Sequence, residues 1–387
     1  MAHLPESPDK ISTSGGNDGS SDLAEARAEA SVASSQEALE LAFAIIQKRC
    51  VHVDTNTPEM ARLLELATLE LANKFAQKKD SPDRYSILTK PVPPPTEEEI
   101  CAKPASKKAM LAAGAKIGTL PTIFYSLLDA VNNRYSSSAD IAAIITKDPA
   151  LSAKLLRLIN SPFYGLRNPV VDITRAVTIV GNGPLVMLTM GTVLVSSFKK
   201  VPTSLLDMRS FWMHSIATGV FARVLANRLH LPNPEHFFIT GLLHDIGRLL
   251  IFITPPSCAL HLIMESNRRL MPMQELEAQM LGFSHEELAG EFLHSWNCPA
   301  TIIEAIVNHH KPLSPTATMA DTILPVANTL ASAMGYGSSG TFFVPPVDYL
   351  TFTLAGVTPG ILPAILDEAR QVITTMSSAM LSKDEGA

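Results

Sequence analysis

The sequence predicts an all-α protein, a multi-helix bundle with a disordered N-terminal tail. Apolar residues recur at helical spacing from residue 36 onward, and the alternating patterns typical of strands are scarce. Apolar residues make up 46% of the 387 residues, which is enough for a sizeable helical core. The net charge of −6 gives no broad basic surface, so the composition argues against non-specific binding of nucleic acid.

Residues 1–35 are rich in Ser, Gly, Asp, Glu and Ala and contain almost no large apolar side chains. Such a segment cannot bury enough surface to offset the entropy lost on ordering, so we predict a disordered tail. The first residues lack the basic start and apolar run of a secretory signal peptide. The four cysteines are widely spaced and form no CxxC pair, which does not indicate a disulfide framework. These features predict a cytoplasmic protein.

Residues 36–80 have the pattern of two amphipathic helices. Before the second, Thr57 is a candidate N-cap, and Pro58 suits the first helical position. The apolar faces of these helices require a partner surface, which is either the main domain or another copy of the chain. Residues 81–105 contain the run PVPPP and the acidic run TEEE, and this composition is typical of a proline-stiffened linker.

Residues 106–380 read as one helical domain that includes the C-terminal helices. Within it, we expect Asp140 to open one helix. Asp148 followed by Pro149 is a strong start signal for the next, because aspartate caps a helix and proline suits its first turn.

Further along the domain, residues 234–252 are predicted to form one continuous helix. Ser284 with Glu287 matches a capping box, in which each side chain bonds to the backbone of the other residue. The longest uncharged run, residues 176–198, is interrupted by GNGP, so we predict a buried core helix there and no membrane span.

Histidines are concentrated in one part of the chain: nine of the eleven lie between residues 214 and 310. Imidazole and carboxylate groups are the ligands that Zn, Mn and Fe prefer, and a helical bundle can bring them together from facing helices. The motif GLLHDIGRLL places His244 beside Asp245. Neighbours on a regular helix point about 100° apart, so adjacency alone does not establish a shared site. Four other histidines are predicted to be hydrogen-bonded core residues: His230, His236, His261 and His294.

Four stretches resemble the HDOD branch of the HD metal-dependent phosphohydrolase superfamily: DPALSAKLLRLINSPFYG (148–165), GLLHDIGRLL (241–250), GFSHEELAGEFLHSWNCP (282–299) and AIVNHH (305–310). The resemblance extends over roughly residues 110–335. It implies a helical bundle of the HD-domain type. It also implies a role in bacterial signalling or regulation, in a family whose members mostly lack demonstrated catalysis.

The resemblance also implies a set of metal positions: His214, His244, Asp245, His285, His309 and His310. The superfamily closes this set with an aspartate, but here the equivalent residue is Asn328, whose neutral amide oxygen is a weaker ligand. The expected occupant is therefore a divalent metal (Mn, Fe or Zn) or no metal at all. The histidine pair is followed by KPLSPT instead of the GYP motif of the HD-GYP phosphodiesterases, which argues against cleavage of cyclic di-GMP.

Three functions remain open from the sequence. The first is a signal-transduction protein that binds a signalling partner, a ligand or a second copy of itself without catalysis. The alternative is a metal-dependent phosphohydrolase that acts on a nucleotide or phosphodiester through the histidine–aspartate cluster. In the third, the cluster only links helices through hydrogen bonds. No specific nucleic-acid or membrane partner is predicted.

Overall fold

The computed structural model describes residues 35–77, 80, 104–117, 122–132, 136–162, 164–198, 206–253 and 256–381, and the structural statements below concern these residues. They form helices and loops without any β-strand, which confirms the all-α prediction. The predicted tail (1–35) and the predicted linker (81–105) lie almost wholly outside the described residues.

A shared hydrophobic core connects the described helices, with buried side chains from Ala42 near one end of the chain to Met380 near the other. In chain order the helices are α1 (residues 35–49), α2 (Pro58–Ala76), α3 (Lys107–Ile117), α4 (Thr122–Asn132), α5 (Ser138–Thr146), α6 (Pro149–Ile159), α7 (Ile173–Val180), α8 (Asn182–Ser197), α9 (Met208–Arg228), α10 (Pro234–Leu243), α11 (Ile246–Phe252), α12 (Pro256–Arg269), α13 (Met273–Leu281), α14 (His285–Ser295), α15 (Ala300–Asn308), α16 (Met319–Ala333), α17 (Tyr349–Leu354) and α18 (Leu362–Leu381). The C-terminal helices therefore share the core of the preceding ones.

Several helices begin where the local sequence predicts. The Asp148 side chain accepts a hydrogen bond from the Leu151 amide at 3.0 Å, and Pro149 occupies the first turn of α6. The expectation for Asp140 is wrong by three residues. Helix α5 begins after Ser137, and Asp140 is the third helical residue of a capping box with that serine. Its carboxylate accepts from the Ser137 amide at 2.8 Å and so satisfies the backbone donor of the N-cap residue.

One other expectation about a helix start is wrong, and another is confirmed in part. Ser284 precedes α14 but makes no capping hydrogen bond. The Glu277 carboxylate instead accepts from the His285 amide at 2.8 Å and so satisfies a free donor of the first turn. Thr57 is the N-cap residue of α2 and Pro58 takes the first helical position, as predicted, although the Thr57 side chain makes no capping hydrogen bond.

The predicted continuous helix 234–252 is broken at His244 and Asp245, which separate α10 from α11. In a continuous helix the Gly241 carbonyl would accept from the Asp245 amide. Here it accepts from Nδ1 of His244 at 2.7 Å. The histidine thus competes with the backbone for this carbonyl, and the helix ends at the residues that face the site.

Helix α9 lies at the centre of the bundle and packs against α10, α16 and α18. It crosses α10 at a very short distance, where Gly219 of α9 faces Gly241 of α10. A Cβ added to Gly241 would lie only 2.6 Å from Cα of Gly219, so glycine allows this close packing. This close approach positions the His214 ring, on α9, with its centroid 5.3 Å from that of His244.

Helices α1 and α2 pack on the body of the protein, one of the two arrangements that the sequence leaves open. Arg49 at the end of α1 donates from Nε to the Phe342 carbonyl at 3.0 Å, and its own carbonyl accepts from the Val344 amide at 2.8 Å. On α2, Glu70 forms an ion pair with Arg370 of α18 at 2.7 Å.

No single helix among the described residues is both long enough and apolar enough to cross a membrane. Cys50 and Cys298 carry free thiols. Cys258 is disulfide-bonded, which the wide spacing of the cysteines did not predict.

Candidate metal centre

Asp245 lies at the centre of a buried cluster of histidines. Its Oδ1 is 3.0 Å from Nε2 of His285 and 3.9 Å from Nε2 of His309. Its Oδ2 is 3.1 Å from Nε2 of His244 and 3.8 Å from Nε2 of His214. The five side chains come from α9, the break between α10 and α11, the start of α14 and the end of α15. Four separate parts of the chain therefore converge on one carboxylate.

Gly247 makes the approach of α11 to α14 possible. A Cβ at this position would lie 2.0 Å from the His285 carbonyl oxygen and 3.0 Å from the Ala289 amide nitrogen. Any larger residue would push apart the two helices that carry Asp245 and His285. The glycine of HDIG is thus required by packing.

The outer nitrogens of three histidine rings are held by neighbouring groups. Nδ1 of His244 donates to the Gly241 carbonyl, and Nδ1 of His309 donates to the Ile306 carbonyl at 2.6 Å. Nδ1 of His285 lies 2.6 Å from the Glu277 carboxylate. Such contacts orient metal-binding histidines and turn the other nitrogen toward the ion.

Apart from the short contacts with Asp245 described above, the inner atoms of the cluster lack hydrogen-bond partners among the described residues. They are Oδ1 of Asp245 and Nε2 of His244, His285, His309 and His310. Buried polar atoms are almost always satisfied, so atoms that face one another without hydrogen bonds fit a bound cation. Two groups that include Asp245 have ligand atoms within 4.8 Å of one another: Asp245, His285, His309 and His310, and His214, His244 and Asp245. These donors suit a divalent transition metal.

Asn328 lies at the edge of this set. It is buried in α16 and lines the same cavity as His214 and His310. Its Oδ1 accepts from the Ser332 hydroxyl at 3.4 Å. The structure thus brings all seven predicted residues into one region, with six in the two donor groups and Asn328 beside them.

Four residues that the sequence analysis did not assign to the site also contribute: Arg248, Glu277, Glu286 and Ser339. Nη1 of Arg248 lies 3.1 Å from Oδ2 of Asp245 and 2.6 Å from the Ser339 hydroxyl. Glu277 and Glu286 both approach Nδ1 of His285, at 2.6 and 3.3 Å. Glu286 directly follows His285, so its position in the sequence could have placed it at the site. Glu277 and Ser339 have no recognisable spacing from the predicted site residues.

Burial and charge set the protonation of the cluster. Burial, with the nearby His244 ring, lowers the pKa of His214 and of His309 to about 3, so both rings are neutral and have a free lone pair. Burial would also raise the pKa of Asp245, but the Arg248 guanidinium and the His244 ring hold it well below its usual value.

His285 has the opposite shift. Burial and the charge of Arg248 would lower its pKa, but the carboxylates of Glu277, Glu286 and Asp245 outweigh them and raise it to about 10. In the metal-free site this ring is therefore a cation between carboxylates. His285 would bind a metal only after Nε2 loses its proton, so metal binding would release a proton.

The site is closed. A cavity of about 20 Å³ adjoins the cluster, lined on one side by His214, Arg248 and His310. Its other wall comes from His52 after α1, from the start of α13 and from residues 339–346. The His52 ring packs edge-on against Phe343, with 5.3 Å between their centroids. This volume holds about one water molecule.

The remaining histidines do not have the core role that was predicted for them. His230 and His294 are exposed, and His236 and His261 are only half-buried. His230 ends α9 in a left-handed conformation with φ of 53°, so an apolar flank in the sequence did not mean burial.

The chain is similar to known proteins over the region that carries the cluster. The HDOD domain family matches residues 117–312. An uncharacterized protein of Treponema pallidum (strain Nichols) is 28% identical over 223 residues, which are 56% of this chain and 41% of that protein. This chain therefore matches less than half of that relative's length.

Two solved structures extend the comparison. A protein from Shewanella amazonensis SB2B, named provisionally as a phosphohydrolase, is 25% identical with a TM-score of 0.57 and covers 70% of this chain and 98% of its own. An HDOD domain protein of unknown function from Geobacter sulfurreducens is 20% identical with a TM-score of 0.55, and covers 70% of this chain and 97% of its own. The second likeness supports the fold alone. Because the family match spans just over half of the 387 residues and includes every histidine of the cluster, this chain belongs to the HDOD domain family.

Proposed function

We propose that this chain is a regulatory HDOD protein that acts by binding a partner or ligand and does not turn over a substrate. The observation that carries the proposal is that the cluster is buried and that the cavity beside it measures only about 20 Å³. Pockets for small-molecule substrates are typically about 300–1,000 Å³. A nucleotide or phosphodiester could not reach Asp245 without movement of residues 339–346.

The residues around Asp245 support the same conclusion. The Arg248 guanidinium already neutralises this carboxylate at 3.1 Å. Asn328 replaces the aspartate that the superfamily uses to close its metal site, so one anionic ligand is lost. Both features reduce the capacity of the site to activate water.

A divalent ion, Mn, Fe or Zn, is proposed as a structural occupant of this cluster. Its proposed ligands are His214, His244, Asp245, His285, His309 and His310, with Asn328 as a weak additional contact. The unpartnered inner nitrogens and the neutral state of His214 and His309 support this role. The ion would connect four parts of the chain and stabilise the bundle.

The second candidate is a metal-dependent phosphohydrolase. It is favoured by the donor atoms that converge on Asp245 and by the name of the Shewanella protein. In that case, a bound ion would polarise phosphate oxygens and lower the pKa of a bound water.

Metal analysis with a hydrolysis assay distinguishes the two functions. We expect purified protein to contain or bind a divalent metal and to leave bis(p-nitrophenyl) phosphate and nucleotides intact. The assay uses Mn, Fe(II) and Zn in turn, with Asp245→Ala as the matched control. Hydrolysis at an ordinary enzymatic rate of about 1 per second or more, abolished by Asp245→Ala, would establish the enzyme instead.

A surface groove suggests how the protein engages its partner. It lies between α1 and α2, has a volume of about 780 Å³ and is mainly apolar. Phe43 and Leu69 line it and are 53% and 45% exposed. We propose that a second copy of the chain docks here, because two paired helices with an apolar groove can complete a four-helix bundle. The alternative occupant of the groove is an amphipathic helix of a signalling partner.

Light scattering after size exclusion tests this docking. We expect the wild-type chain to show twice its 41.7 kDa mass at micromolar concentration, and Phe43→Glu to show the monomer mass. Leu350→Glu is the control, because Leu350 is 57% exposed and does not line the groove. A wild-type monomer points to a separate partner protein. A dimer that Phe43→Glu leaves intact contradicts any role for the groove in dimerisation.

A further inference from the structure

Arg248 is a buried cation within the cluster. It is 2% exposed, and three polar groups surround its guanidinium. Nη1 lies 3.1 Å from Oδ2 of Asp245 and 2.6 Å from the Ser339 hydroxyl, and Nε lies 3.5 Å from the Glu277 carboxylate. These contacts place one positive charge between two buried carboxylates.

The carboxylate oxygen that Arg248 contacts is also the one that faces two histidines. Oδ2 of Asp245 is 3.1 Å from Nε2 of His244 and 3.8 Å from Nε2 of His214. A divalent ion bound by His214, His244 and Asp245 would need Oδ2 of Asp245 as a ligand. The Arg248 guanidinium already contacts the same oxygen atom. Two cations that share one buried oxygen repel strongly, because little solvent screens them.

We propose that Arg248 is the resident counter-cation of the metal-free site and that a divalent ion binds the group of His214, His244 and Asp245 only by displacing Arg248 from Oδ2 of Asp245. This inference rests on the proposed metal site and adds a competitor to it. Without an ion, Arg248 compensates the buried charge of Asp245. With the ion in place, the guanidinium keeps Glu277 as its carboxylate partner.

Displacement of Arg248 would also affect the wall of the cavity, because the guanidinium donates a hydrogen bond to the Ser339 hydroxyl. This residue begins the segment 339–346 that closes the site. The same segment is tied to α1, since Nε of Arg49 donates to the Phe342 carbonyl and the Val344 amide donates to the Arg49 carbonyl. Metal binding therefore loosens the contact that holds this segment over the cluster.

Calorimetric titration of metal-stripped protein with Mn²⁺ and with Zn²⁺ tests the proposal. We expect Arg248→Met to bind at least roughly tenfold more tightly than wild type, and Arg248→Lys to lie between them. The matched control is Arg223→Met, because Arg223 also forms a half-buried ion pair, with Glu235, and should leave the affinity unchanged. Equal or weaker binding by a folded Arg248→Met would overturn the proposal.

Melting temperatures show whether the variant is merely unfolded. Metal-free Arg248→Met should melt below wild type, because Asp245 loses its counter-cation, and added metal should raise its melting temperature more than that of wild type. Ser339→Ala keeps the guanidinium but removes its hydroxyl contact, so we expect modestly tighter metal binding. Looser binding by Ser339→Ala would contradict displacement.

The outcomes also separate this inference from the proposed metal site. If wild type fails to bind either ion but Arg248→Met binds one, the proposal of a metal site in the wild-type protein is wrong, whereas the proposal that Arg248 competes with the ion is supported. If neither protein binds either ion, both ideas fail.

Discussion

Gly247→Ala is expected to destabilise the protein by about 3 kcal/mol or more, because the added methyl group has no room. Its carbon would lie 2.0 Å from the His285 carbonyl oxygen and 2.9 Å from the His285 carbonyl carbon. These are backbone atoms, so no side-chain rotation can relieve the contact, and α11 must move away from α14. Urea unfolding, followed by circular dichroism, measures the change in free energy.

Gly183→Ala is the matched control for that experiment. Gly183 is in the first turn of α8, and an added Cβ would meet nothing within 4 Å. Alanine is a better helix former than glycine, so this variant should be neutral or up to about 1 kcal/mol more stable. If the free energy of unfolding of Gly247→Ala is within about 1 kcal/mol of the wild-type value, then the close contact between α11 and α14 does not position Asp245.

Asp245→Asn is expected to cost about 3–5 kcal/mol in metal-free protein, because it leaves buried positive charges without their counter-charge. The amide keeps the shape of the carboxylate, so the change removes charge and not volume. Arg248 at 3.1 Å and His285 at 3.0 Å each lose one anionic neighbour, and Glu277 stays close to both. The free energy of unfolding is measured in the presence of a chelator, so that metal loss does not contribute.

Two further variants isolate the buried pair. Asp367→Asn removes an exposed carboxylate that pairs with Arg370 at 2.9 Å, and it should cost less than about 1 kcal/mol.

Adding Arg248→Met to Asp245→Asn should recover part of the loss in stability, since the guanidinium that has lost its Asp245 partner is also removed. A coupling energy of about 1 kcal/mol or more is expected. Strict additivity would mean that the two charges do not stabilise each other.

Local chemistry predicted helix starts only where the partner lies within one turn. Asp148 and Pro149 met this condition, and the predicted start is confirmed. Ser284 and Glu287 also lie within one turn, but no capping box forms, and Glu277, eight residues before His285, accepts from the first amide of α14. A capping pattern cannot anticipate a competitor that only packing brings close.

The histidine cluster shows the same division. The resemblance to HDOD proteins singled out the histidines and Asp245, and the structure brings them together. That resemblance contained no information on Glu277 or Ser339. The break at His244 was missed because the apolar pattern continues through it, while a side-chain contact with the Gly241 carbonyl ends the helix.

The sequence by itself determined the helical class, the family and the residue types of the cluster, because these depend on local periodicity and on motifs. Only the tertiary structure decided that the site is closed and that Asp245 is already paired. Ser339 lies 91 residues beyond Arg248 in the chain, and it meets the guanidinium only after the helices have packed. Contacts between distant residues follow from how buried surfaces fit together, and no spacing in the sequence encodes that fit.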